Sequence, residues 1–139
     1  MQSFASVLIS LLFVALAGLA LAAAPVPDKV GKKAQSWLEL IDAGEYSRSW
    51  EASSAFFRTV VAEANWIAAL QATRQPLGVR IHREQTASQK ATSLPGAPDS
   101  EYRILLFTTE FAEKKAAHET LTLMREPDGQ WRVAGYFIK

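Results

Sequence analysis

The sequence predicts an α+β domain: N-terminal helices packed on one face of a four-stranded antiparallel meander sheet. Apolar residues recur at helical spacing through the first half of the chain, and from Val79 onward the period changes to two. Helices that all precede consecutive strands lie together on one side of an antiparallel sheet, whereas alternating units would give a parallel one.

The chain opens on a segment of a different kind. None of its charges falls in the first 24 residues, and an apolar run from Val7 to Ala24 ends with the small-x-small site Ala20, Leu21, Ala22 before a Pro-rich "APVPD". That pattern predicts a cleaved secretory signal peptide over residues 1–22, cut near Ala22, with only the α-amine as its positive region. A linker over 23–30 and a single domain over 31–139 follow. Uncleaved, the segment would be a membrane anchor, the one case in which the membrane is a partner, but it is short for a hydrocarbon core of ~30 Å. The expected address is the periplasm, as a soluble protein. The absence of cysteine excludes disulfides, thiol catalysis and thiolate metal sites. About 115 mature residues suffice to bury one core unaided.

In "DKVGKKAQSWLELIDAG", Val30, Ala34, Trp37, Leu38 and Ile41 fall on one helix face, with Asp28 as a start signal and Gly44 suited to the left-handed residue after the end. "EYSRSWEASS" places Tyr46 and Trp50 four apart. "AFFRTVVAEANWIAALQATRQ" then predicts one long helix with a stripe of Phe57, Val60, Val61, Ala64, Ile67 and Ala68, widened by Phe56, Trp66 and Leu70. "QPLG" ends it.

"VRIHRE", "YRILLFTTEF", "ETLTLMR" and "QWRVAGYFIK" predict four strands. They are separated by the turn-rich "TSLPGAPDS", the charged "EKKAA" and the hairpin signal "EPDG". Strict alternation puts Trp131, Val133, Gly135 and Phe137 on one face, together with Val79, Ile81, Leu121 and Leu123, against the helices. The other face would carry Arg80, His82, Glu84, Thr120, Thr122, Met124, Tyr136 and Ile138, which is too apolar for plain solvent and suggests a covered surface.

The series "SWLELIDAGEYSRSW", "ANWIAALQATRQPLGVRIHR", "LPGAPDSEYRILLFTTEFAEKKAAHETLTL" and "DGQWRVAGYFIK" resembles the bacterial exported family catalogued as domain of unknown function 4019, from about Lys33 to Lys139. The resemblance implies a cystatin-like or nuclear-transport-factor-like layout, with a curved antiparallel sheet wrapped around helices. It implies no activity, because that superfold serves isomerases, dehydratases, adaptors and dimerisation modules alike.

Fifteen Lys and Arg against fourteen Asp and Glu give no basic excess for a phosphate backbone, so nucleic acid is not an expected partner. The two histidines, His82 and His118, lack metal-ligand spacing, and neither a metal nor a cofactor is expected. No phosphate-cradling glycine run and no nucleophile elbow is present. Asp42 and His82 are the acid-base candidates, with Tyr46 and Tyr136 beside them. Arg74, Arg80 and Arg83 flank "QPLG" and can hold a carboxylate or phosphate, or pair internally with Glu84, Glu119 or helix-end carbonyls. The four tryptophans are packing mass before they are a stacking platform.

Three functions follow from these groups. The first is a non-catalytic binding or self-association module acting through the sheet face, Tyr136 included, with a homodimer or an exported protein as partner. The second is a small-molecule site in a cleft between helices and sheet lined by Tyr46, Trp50, Trp66 and Arg83. The third is an acid-base isomerase or dehydratase using Asp42 or His82.

Overall fold

The computed structural model describes residues 28–139. The expected signal peptide and its cleavage site lie outside them. Helix α1 (Asp28–Asp42) buries Val30, Ala34, Trp37, Leu38 and Ile41, the five residues its spacing assigns to the core. It ends as the glycine requires. Gly44 has φ +76°, its N–H donates to the Ile41 carbonyl at 3.0 Å, and the Glu45 N–H donates to the Leu40 carbonyl at 2.9 Å. This paired closure satisfies carbonyls that the helix end leaves open.

The short helix α2 (Tyr46–Glu51) follows, and the expected single long helix is two: α3 (Ala55–Val60) and α4 (Glu63–Thr73). Between them Val61 is extended, at φ −124° and ψ 114°. Its carbonyl accepts a hydrogen bond from the Trp50 indole N–H at 2.7 Å, a partner outside the helix. The break also changes the stripe. Phe57, Val61, Trp66, Ala69 and Leu70 are buried, while Val60, Ala64 and Ala68 face solvent. Ser54 caps α3, its hydroxyl accepting from the Phe57 N–H at 3.1 Å. A 3-10 turn over Gln75–Leu77 leads to the sheet.

The strands β1 (Arg80–Ala91), β2 (Tyr102–Phe111), β3 (Lys114–Arg125) and β4 (Trp131–Ile138) form one antiparallel sheet in the order β1-β2-β3-β4. It is a meander, open at both edges rather than closed into a barrel. β1 runs seven residues past the expected end because its polar second half, "TASQKA", pairs with β2 through Ala91↔Tyr102. Lys114 and Lys115, expected in a turn, begin β3.

Bulges overturn the strict alternation at both edges of the sheet, since an extra residue shifts the phase of all that follows. In β4, Thr122 pairs with Gly135 but Leu123 with Val133, leaving Ala134 extra. Trp131 and Val133 face the helices as expected, and beyond the bulge Tyr136 and Ile138 face them too, displacing Phe137. In β1, Arg80 pairs with Phe111 but His82 with Glu110, so Ile81 is extruded. Val79 and Ile81, expected in the core, are 74% and 59% exposed, and Arg80 and Arg83 lie on the helix side instead.

Two apolar clusters result. The larger joins α1 to α4 with Leu105, Phe107, Leu121, Leu123, Trp131, Val133 and Tyr136. Within it the Trp37, Trp66 and Tyr136 rings lie 5.4–6.4 Å apart, and the indole N–H groups of Trp37 and Trp66 bond to Ser49 and Ser53. The smaller cluster lies on the outer face, where Leu94 from the β1–β2 connection covers Tyr102, Ile104, Met124 and Ala134. The apolar outer face is thus covered in part by the chain itself.

Candidate functional site

Each of the elements around the open side of the sheet contributes one polar group to a common point. Asp42 ends α1, Arg74 follows α4, and the β1 bulge turns Arg80 inward on the same side as Arg83. Asp42 receives four N–H groups: Arg83 Nη1 and Nη2 at 2.8 and 2.9 Å, Arg80 Nε at 3.0 Å and Arg74 Nη2 at 3.3 Å. Arg83 also donates from Nε to Glu119 Oε1 at 2.7 Å and from Nη2 to Oε2 at 3.2 Å. Glu119, fully buried in β3, further accepts from the hydroxyls of Thr109 and Tyr136. Arg74 donates to the Gly78 carbonyl at 2.7 Å and lies 4.2 Å over the Phe111 ring, a cation-π contact.

The electrostatics follow from burial and pairing. Burial alone would raise the Asp42 carboxyl, but hydrogen bonds and charge from Arg83 and then Arg74 outweigh it and hold the group below its ordinary range. Burial would likewise favour a neutral Arg83, and its bonds to Asp42 and Glu119 reverse this, keeping it charged. The Tyr136 phenol is pushed well up, first by burial and then by the charge and acceptor bond of Glu119. Asp42 is therefore a fixed carboxylate and Tyr136 a fixed hydrogen-bond donor. Neither is poised to exchange a proton near neutrality.

Beside this network lies a cleft of about 310 Å³ between α1 and β1. Ala34, Leu38 and Phe107 make its apolar floor, and Gln35, Glu39, Asp42, Arg80, Arg83 and Gln85 its polar rim. Arg83 commits four of its five N–H groups to its two carboxylates. Arg80, with a side chain 39% exposed, bonds only through Nε, and among the described residues its Nη groups meet no acceptor. Glu39 is exposed on the opposite wall and takes only a 3.4 Å amide contact from Gln35. A wider, more open hollow of about 510 Å³ lies between the α1–α2 turn and α4, lined by Tyr46, Ser47, Arg48, Ile67 and their neighbours.

The structure brings Asp42, Arg83 and Tyr136 into one network and separates the rest. Tyr46 and Trp66 are buried in the core, and Trp50 packs against it with its indole on Val61. Tyr46, Trp50, Trp66 and Arg83 therefore line no common cleft. His82 is exposed on the edge strand and is not among Asp42's hydrogen-bond partners. Glu119 is the network member that spacing undervalued, as one possible pairing partner among several. Its signal was a lone carboxylate in the inward series Ala117, Glu119, Leu121, Leu123.

Fold and site together define a small α+β domain with an open meander sheet, a buried ionic network and an adjoining cleft. The chain belongs to the family described as "Protein of unknown function (DUF4019)", whose model matches residues 33–136. No curated protein matches it. Among the described residues no helix is long and apolar enough to cross a membrane, and no group of acidic or histidine side chains could hold a metal.

Proposed function

We propose that this domain is a non-catalytic binding module that holds a small molecule in the cleft between α1 and β1. The observation that carries the proposal is the contrast between saturated and unsaturated groups. The acid-base candidate Asp42 and its network neighbour Glu119 are fully engaged, whereas Arg80 and Glu39 on the rim keep free capacity above an apolar floor. Small-molecule sites combine an apolar surface with a few convergent polar anchors, and ~300 Å³ is the lower end of their size; this cleft is at the polar end of that range, with six polar side chains around three apolar ones.

The test is a metabolite library screened by thermal shift against the wild type and Gln35→Trp, a surface change that fills the cleft mouth. Stabilisation by a compound that the variant no longer shows, without turnover of that compound by NMR, is the expected result. Compounds that stabilise both proteins equally would place binding elsewhere, and conversion of the compound would make the domain an enzyme.

A second reading, self-association of two copies through the sheet, is favoured by the exposed Val79 and Ile81 beside the open β1 edge and by a net charge of only +1, which gives two copies little reason to repel. Two bulges and the charges of Glu84 and Lys90 oppose it by blunting that edge. Sedimentation equilibrium of wild type and Ile81→Lys decides it: a dimer lost in the variant supports association, and a monomer at high concentration removes it. The export signal belongs to the same picture, and a periplasmic chain beginning near Ala23 by intact mass would support it.

A further inference from the structure

The cleft is neutral overall and yet strongly dipolar. Arg74, Arg80 and Arg83 exceed Asp42 and Glu119 by one positive charge, and Glu39 on the facing wall supplies one negative charge. Arg80 and Glu39 do not pair with each other, although both line the same cleft. A plain anion held at Arg80 would sit opposite the Glu39 carboxylate, and a plain cation at Glu39 would sit opposite the guanidinium. Each would bring one attraction and one repulsion into a partly desolvated space, where unpaired charge is costly.

Resting on the cleft reading above, we propose that the ligand is a small zwitterion of the amino-acid class. Its carboxylate accepts from the free Nη groups of Arg80, its ammonium donates to Glu39, and its apolar side chain lies on Ala34, Leu38 and Phe107. The amides of Gln35 and Gln85 complete the rim without adding charge. A guanidinium fork suits a carboxylate, and a flexible carboxylate suits an ammonium. A neutral dipolar ligand brings no net charge into a neutral dipolar cleft.

The experiment is an amide NMR titration of the mature protein with each of the twenty free amino acids and, for leucine, its two truncated analogues. 4-Methylpentanoate lacks the ammonium, and 3-methylbutylamine lacks the carboxylate. The expected result is saturable shifts at residues 35, 39 and 85 for one or more apolar amino acids, with each truncated analogue at least about tenfold weaker. Glu39→Gln, an exposed change that leaves the fold intact, should weaken the zwitterion about tenfold and strengthen the carboxylate analogue, which then faces no like charge.

Equal binding of leucine and 4-methylpentanoate would make the cleft an anion site and overturn the proposal while sparing the binding reading. Equal binding of all three compounds would leave only the apolar floor, with the same consequence. If no amino acid shifts the cleft amides, the zwitterion proposal falls, and the library screen with Gln35→Trp independently decides whether the cleft binds anything.

Discussion

Arg83 and Glu119 face each other across β1, β2 and β3 with two hydrogen bonds, and the carboxylate has no exposure to solvent. A buried pair of this kind stabilises less than its count of bonds suggests, because both ions were desolvated to form it. Breaking it is a different matter. Glu119→Leu leaves Arg83 with Asp42 alone and deprives Tyr136 and Thr109 of their acceptor, at an expected cost of about 3–5 kcal/mol. Arg83→Met combined with Glu119→Leu should cost clearly less than the two single losses added together, as measured by urea unfolding. Strict additivity would show that the two side chains are energetically independent.

The pH dependence of stability follows from Asp42. Its carboxyl is held below the ordinary value of 3.8 in the folded state, so the unfolded chain binds the proton more readily. The resulting stabilisation is fully present above that unfolded value and is lost as pH falls through the lower folded one. Unfolding midpoints at pH 7, 4 and 3 should decline more steeply for wild type than for Asp42→Asn, which has no such proton to take up. Parallel decline in the two proteins would remove Asp42 from acid sensitivity.

Where local pattern and global packing agree, the fold was legible. The α1 face, the Gly44 stop, the "EPDG" hairpin and the change of period at Val79 all appear in the structure. Three departures share one cause, a backbone irregularity that hydropathy does not record. Ile81 and Ala134 are single extra residues that shift the phase of β1 and β4, and they exchange Ile81 for Arg80 and Phe137 for Tyr136 on the helix side. The break at Val61 depends on a hydrogen bond from Trp50, eleven positions earlier. Of the site, Asp42, Arg83 and Tyr136 were identified one by one, but bringing Tyr136 to the others required the β4 bulge, and adding Arg80 required the β1 bulge.

Tyr136 supplies an independent check on the network. Its phenol is raised well above 10.0 by burial and by Glu119, and burial also raises Tyr46 and Tyr102. Tyrosinate absorbance at pH 10 should therefore stay below that of three free phenols in the folded protein, and Tyr136→Phe should delete the last step of the alkaline titration. A raised phenol stabilises the fold fully below its unfolded value and loses that contribution as pH rises towards the folded one. The variant should be less stable at pH 7 by about 1.5–3 kcal/mol, the worth of a hydrogen bond to a charged group. A tyrosine that titrates normally in the native protein would contradict the Glu119 contact.

Gly78 is where the approach to the site is most sensitive to a single methyl group. Its φ of +76° and ψ of −161° fall in a region that only glycine occupies readily, and an added Cβ would meet the Ala112 Cβ at 3.2 Å. Gly44 shares the same φ but has open space around it. Gly44→Ala should therefore cost only the left-handed penalty of about 1–2 kcal/mol. Gly78→Ala adds the contact with the β2–β3 turn and displaces the carbonyl that anchors Arg74, and through Arg74 it disturbs Asp42. Its loss of stability should exceed that of Gly44→Ala, and part of the excess should vanish in an Arg74→Met background. If the two glycine variants unfold at the same urea concentration, the Gly78 turn does not position the arginine cluster.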